Sequence, residues 1–130
     1  MQTPAPRIGS LKTITFEVQK SHTITFTHEV DISVLSTPSL IWFLEQAALQ
    51  FLEPCLDDKS LSVGTHVDVE HLAPSPIGAV VNCTARLIYQ DGPVYRFSVE
   101  AHAGQEKIAK GLHSRRIIKA SQLMKRLTAR

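Results

Sequence analysis

The sequence predicts an α+β protein in which one long apolar helix is wrapped by a curved antiparallel β-sheet. Three observations carry this expectation. Residues 36–53, STPSLIWFLEQAALQFLE, have helix punctuation at both ends and apolar side chains around nearly the whole circumference. A helix hydrophobic all round is one that the rest of its protein must bury. The stretches on either side alternate apolar and polar residues with period two, the mark of a half-buried strand. Short turns separate the strands that follow the helix, as antiparallel neighbours require.

The totals agree with one such domain. A chain of 130 residues suffices for a single core. An apolar fraction of 43% against 20% charged belongs to a folded globular chain rather than a disordered one. A net charge of +2 is too small to argue for nucleic acid, and no nucleic-acid-binding motif accompanies it. The central helix is too short to span a bilayer, which takes ~20 apolar residues, so no membrane partner is expected. Cys55 and Cys83 form no CxxC or ligand-spaced group and read as reduced, buried thiols. Residues 1–10 contain no apolar stretch of the secretion-signal kind, so a cytoplasmic protein is expected.

Taken in order, residues 1–10 read as a flexible N-terminal arm. Leu11–Val18 (LKTITFEV) and His22–His28 (HTITFTH) alternate and are rich in Thr, Ile and Phe, so each reads as a strand. A turn at Gln19–Ser21 would join them as a hairpin, although no Asn-Gly type signal stands there. Thr37 is placed to cap the helix, Pro38 suits its first turn, and Pro54 stops it. Leu61–Leu72 (LSVGTHVDVEHL) is the cleanest alternation, with Val63, Thr65, Val67, Val69 and His71 on one face and Gly64, His66, Asp68 and Glu70 on the other. It ends at the prolines of APSPIG. Ala79–Tyr89 and Val94–Ala103 flank Asp91-Gly92, a strong hairpin signal. Lys107–Lys119 reads as the last strand. Residues 11–119 thus form a single domain, and residues 120–130 a basic helical tail. A curved sheet of this kind has exposed edges and leaves one helix side incompletely covered. Pairing two protomers edge to edge relieves both, so a homodimer is expected, or a tetramer built from such dimers.

Three residues carry candidate chemistry. Glu45 sits in the middle of the apolar helix, where an ionised carboxylate is costly unless it is paired, hydrogen-bonded or lining a wet cleft. Its ordinary reading is a boundary glutamate reaching solvent. His71 belongs to the apolar-facing set of its strand; its ordinary reading is a satisfied core histidine. Together they make a candidate acid–base pair. A metal site is disfavoured, because neither HxH nor HExxH occurs. Thr37 stands at the start of the helix. Most such threonines only cap, yet free N–H groups and the positive dipole end suit a developing oxyanion. Thr37 and Glu45 are eight residues apart, or roughly 12 Å along a helix axis, so one imidazole does not readily meet both. The basic residues Lys107, Lys110, Arg115, Arg116, Lys119, Lys125 and Arg126 read as a solvated face, or alternatively as a rim that neutralises ligand phosphates.

The segments VLSTPSLIWFLEQAA, VGTHVDVEHLAPSPIG and KGLHSRRII together resemble the hotdog-fold acyl-CoA thioesterases, in the branch typified by fluoroacetyl-CoA thioesterase. The resemblance runs from about Val34 to Ile118. It implies a hotdog fold, hydrolysis of an acyl-CoA substrate to free acid and coenzyme A without a cofactor, and dimers with active sites near the subunit interface. By motif position the catalytic Thr, Glu and His fall on Thr37, Glu45 and His71. Gly64, with Thr65 beside it, falls at the acyl site, and Arg115 falls at a basic position approaching the coenzyme A portion. Members specialised for fluoroacetate place phenylalanines before the helix as a lid, and HEVDISVL contains none. Two other functions stand beside hydrolysis. A hotdog acyl-CoA hydratase or dehydratase would want a second buried carboxylate paired with a histidine. A non-catalytic acyl-CoA binding or sensing module would not need Glu45 and His71 together.

Overall fold

The structure is a computed structural model that describes residues 5–27, 30 and 32–129. The central helix α1 covers Thr37–Leu52. Its cap is Ser36 rather than Thr37: the Ser36 hydroxyl accepts from the Ser39 N–H at 3.2 Å, which makes Thr37 the first helical residue. That shift frees the Thr37 side chain for another partner.

Five strands form one antiparallel sheet in the order β1-β5-β6-β7-β4. They are β1 (Leu11–Glu17), β4 (Ser60–His71), β5 (Val80–Asp91), β6 (Val94–Ala103) and β7 (Glu106–Lys119). Alternate residues of the central strands face α1: Val81, Cys83, Ala85 and Leu87 from β5, and Tyr95, Phe97, Val99 and Ala101 from β6, all buried. Bulges between Gly64 and His66, Leu87 and Tyr89, and Ala101 and His102 interrupt the ladders. Each adds local twist, which is how a sheet curls around a helix. This is the architecture of a hotdog fold.

The helix buries one stripe, Leu40, Leu44, Ala47, Ala48 and Leu52, rather than its whole circumference. Phe43 stacks on Phe16 of β1 with ring centroids 3.6 Å apart, and Phe51 meets Phe97 edge-on. On the opposite side Trp42 is 55% exposed. A single sheet reaches only part of a cylinder, so the expectation of an all-round buried helix fails within one chain.

The hairpin expected from Leu11–Val18 and His22–His28 does not form. β1 pairs instead with β5, Leu11 opposite Arg86 through Glu17 opposite Val80. After it the chain makes a short 3-10 turn at Lys20–His22, where the Gln19 N–H donates to His22 Nδ1 at 3.0 Å. The turn redirects the chain into β2 (Thr23–Thr25), which pairs with β3 (Ser33–Leu35) as a separate two-stranded ribbon over the start of α1. The end of the expected second strand, His28, lies outside the described residues, as does Asp31 in the segment before the helix. Residues 1–4 of the expected arm also lie outside them. From Gly9 onward the chain is tied to β5, by Gly9 N–H to the Leu87 carbonyl and Leu87 N–H to the Ser10 carbonyl. Residues 120–128 form helix α2 against the end of β7.

The cysteines differ in environment. Cys83 is fully buried on β5, and burial pushes its thiol up to about 12. Cys55 is only half-buried, in the turn after α1. Alkylation of the native protein near neutral pH is therefore expected to modify Cys55 alone, with Cys83 reacting only after denaturation. Peptide mass mapping of the labelled protein checks this.

Candidate active site

Two polar clusters lie against α1, and each combines residues from the helix and from β4. At the helix start, Thr37 Oγ1 lies 2.9 Å from His71 Nδ1 at the far end of β4. The other ring nitrogen, His71 Nε2, is buried and has no hydrogen-bond partner among the described residues. Leaving such a group unsatisfied costs ~1–3 kcal/mol, so it is poised for a partner. A cleft of about 350 Å³ opens here, with Thr37 and His71 among its lining and Ile24, Phe26, Val34 and Leu72 supplying apolar walls. Pro38 has no N–H and Ser36 occupies that of Ser39, so the donors presented by the helix start are the Thr37 N–H and hydroxyl.

Two turns further on, Glu45 faces Gly64 and Arg115. Its Oε2 lies 3.8 Å from Arg115 Nη1, and the carboxylate keeps an open side, at 35% exposure. A Cβ added to Gly64 would stand 2.9 Å from Glu45 Oε2 and 3.2 Å from His113 Cε1. The missing side chain is what leaves room beside the carboxylate. Arg115 is held on its remaining sides: Nε donates to Ser62 Oγ at 3.0 Å, Nη2 to the Ser62 carbonyl at 2.9 Å, and Nη1 to His113 Nε2 at 3.2 Å. Burial pulls both ionisable partners down from their ordinary values, for His113 chiefly by desolvation with the Arg115 charge acting the same way.

Several expectations need correcting. Glu45 and His71 are not joined by a hydrogen bond or ion pair in one chain; His71 meets Thr37, and Glu45 meets Arg115. Their separation follows from the helix, on which Thr37 and Glu45 are eight residues apart, and from the strand, on which Gly64 and His71 are seven apart. Arg115 is not on a basic rim: it is 4% exposed and points inward as the counter-ion of Glu45. Thr65 does not join the Glu45 cluster. It is the extra residue of the β4 bulge, its hydroxyl donating to the Ser114 carbonyl at 3.2 Å, and it lines a cleft on the outer face of the sheet with Ile88, Tyr89 and Leu112. The bulge also breaks the expected single face of β4. Ser62 and Gly64 point inward before it, Val69 and His71 after it, and Val63 is left off that face. Ser62 and His113 escaped the sequence reading. The spacing of His113 and Arg115, two apart on a strand, was the available signal. Among the described residues no group of three or more His, Cys, Asp or Glu side chains is gathered to hold a metal ion.

Known proteins share this frame. A family model described as fluoroacetyl-CoA-specific thioesterase matches residues 18–121. The fluoroacetyl-CoA thioesterase of Streptantibioticus cattleyicolor is 33% identical over 85 residues, which are 65% of this chain and 61% of that protein. The chain thus matches less than two thirds of that relative's length. Among solved structures, the fluoroacetyl-CoA thioesterase FlK superposes with a TM-score of 0.89 at 26% identity, covering 98% of both chains. A mutant of FlK in complex with fluoroacetate and CoA superposes with a TM-score of 0.80 at 29% identity, over 90% of this chain and 98% of that one. A thioesterase superfamily member from Thermus thermophilus shares the fold, with a TM-score of 0.85 at 22% identity over 96% of this chain and 95% of that one. With the family model spanning most of its length, this chain belongs to the fluoroacetyl-CoA-specific thioesterase family.

Proposed function

We propose that this protein hydrolyses the thioester of an acyl-CoA to free acid and coenzyme A, in a site shared between two protomers paired along β4. The observation that carries the reading is the division of the polar groups into two halves on one chain. Thr37 and His71 form one half, with a ring nitrogen that has no hydrogen-bond partner among the described residues; Glu45, Gly64 and Arg115 form the other. β4 carries both halves and is an edge of the sheet. Antiparallel pairing of two β4 edges near their middle reverses one strand against the other. Each His71 then runs toward the partner's Gly64, and so toward the partner's Glu45. The same pairing covers Val67, which is 38% exposed in the single chain, and removes a long unpaired edge.

In the completed site, Glu45 acts as general base on water, or as nucleophile through an anhydride. The guanidinium of Arg115 stands on its buried side, with Nη1 3.8 Å from Oε2. His71 polarises the thioester or delivers a proton to the departing thiolate, while the Thr37 hydroxyl and N–H hold the carbonyl oxygen as it gains charge. The apolar walls around Thr37 receive the acyl group. Exposed lysines and arginines of β7 and α2 meet the phosphates of coenzyme A. The relatives named for fluoroacetyl-CoA, one of them solved with fluoroacetate and CoA, support a CoA thioester as substrate.

Thiol release from a panel of short, medium and aryl acyl-CoAs, with fluoroacetyl-CoA included, tests the activity; binding without release from any of them refutes it. Glu45→Ala and His71→Ala are each expected to lower turnover by at least ~100-fold, the lower end for an acid–base residue. Gly64→Ala is expected to cost about tenfold in kcat with the fold retained, since its Cβ displaces the carboxylate. Refolding the Glu45→Ala and His71→Ala chains together discriminates a shared site from one built within a protomer. A shared site gives each mixed dimer one intact centre, and about a quarter of wild-type activity returns on random pairing. No recovery in confirmed mixed dimers means that both residues act within one protomer.

A further inference from the structure

The His113 ring has no part in the proposed chemistry, yet among the described residues it is one of the most buried polar groups, at 1% exposure. It stands on β7 two residues from Arg115, so both side chains point toward α1. Its two nitrogens face partners of opposite kind. Nδ1 lies 2.8 Å from the His66 carbonyl oxygen, which only accepts, so Nδ1 carries the proton. Nε2 lies 3.2 Å from Arg115 Nη1, which only donates, so Nε2 is bare. A doubly protonated ring would set N–H against N–H. One neutral tautomer satisfies both contacts.

The consequence falls on Arg115. Ser62 fixes one edge of the guanidinium through Nε and Nη2. The remaining corner, Nη1, is the one that faces Glu45 Oε2 at 3.8 Å, and among the described residues the ring of His113 is its other partner. Without the ring, the plane of the guanidinium is free to tilt about its Ser62 edge, and the carboxylate follows.

We propose that His113 is a positioning residue for Glu45: its neutral ring, held in the Nδ1–H tautomer by the His66 carbonyl, anchors the Nη1 corner of Arg115 and so fixes the carboxylate beside Gly64. The catalytic consequence rests on the reading of Glu45 as the reacting carboxylate; the geometry does not.

Two measurements separate these. In long-range 1H–15N NMR spectra of the wild-type protein at neutral pH, His113 is expected to carry its proton on Nδ1 with Nε2 bare. A proton on Nε2 overturns the proposal, whether or not any thioester is hydrolysed. In steady-state acyl-CoA hydrolysis, His113→Phe removes both polar atoms at similar volume and is expected to lower kcat about 10- to 100-fold, with KM changed by less than about threefold. His113→Gln keeps an acceptor near the position of Nε2 and is expected to return kcat to within about threefold of wild type. In a Glu45→Gln background, His113→Phe is expected to change the residual rate by less than about twofold, since the carboxylate it positions is gone. An equal loss in both backgrounds means general damage and overturns the proposal. Should His113→Phe not fold, His113→Asn replaces it, keeping the donor to His66 and losing the acceptor; wild-type kcat in folded His113→Asn also overturns the proposal. A wild-type protein that turns over no acyl-CoA refutes the thioesterase reading, and the tautomer then decides the geometry alone.

Discussion

The structure depends on sealing the apolar stripe of α1. Leu40, Leu44 and Leu52 are fully buried with Ala47 and Ala48 between them. Each buried leucine contributes roughly 1.5–3 kcal/mol relative to exposure, comparable to a sizeable share of a small domain's net stability. A flat sheet touches a helix along one line only. Bulges in β4, β5 and β7 let five strands wrap the stripe, and the chain order that results leaves β1 and β4 as edges. Edge position, residual exposure of the far side of α1 and the local breaks in the ladder all follow from one packing requirement.

Glu45 introduces a conflict with that requirement. A carboxylate against an apolar stripe is costly unless it keeps contact with water or gains a partner. The conflict is resolved from both sides. The carboxylate keeps an open side, and Arg115 approaches from the buried side. Burying the guanidinium creates further needs in turn, which Ser62 and His113 meet. The sequence of partners ends at the backbone carbonyl of His66, beside the β4 bulge. The irregularity that bends the sheet therefore also stands at the end of the network that compensates the charge. Such a network is held as a unit, because loss of any member strands a polar group without water.

Much of this frame was legible in the sequence, because the signals involved are local. Period-two runs and Asp91-Gly92 marked β5 and β6, and the hydroxyl-proline start and Pro54 marked α1 to within a residue or two. Non-local pairing was not legible. Nothing in Leu11–Val18 says that its partner is β5 rather than the next strand, since β1 offers the same alternating face to either. The β4 bulge was the costliest omission. A one-residue insertion reverses the parity of everything beyond it, and Thr65 looks like any strand threonine. The motif match grouped Thr37, Glu45, His71, Gly64 and Arg115 as site residues, but it carried no information on which of them touch. It also placed Arg115 at the coenzyme A end, when its register opposite Gly64 puts it under Glu45.

The separation of the two clusters is a property of regular elements rather than an accident of side-chain placement. A helix advances ~1.5 Å per residue and a strand ~3.3 Å, so residues eight apart on α1 and seven apart on β4 cannot converge on one small acyl carbon from a single chain. Long side chains narrow the gap but do not close it, since Thr37 is short and His71 is already engaged with it. In the proposed site, convergence comes from an operation that exchanges the ends of β4, and a two-fold axis through the middle of that strand is the simplest one. It uses the edge that wrapping the helix left open. On this reading the dimer is not an addition to a finished enzyme. The packing of α1 leaves β4 as a sheet edge, and in the proposed dimer that edge would carry half of each site at either end, so that pairing the edges would assemble two centres at once.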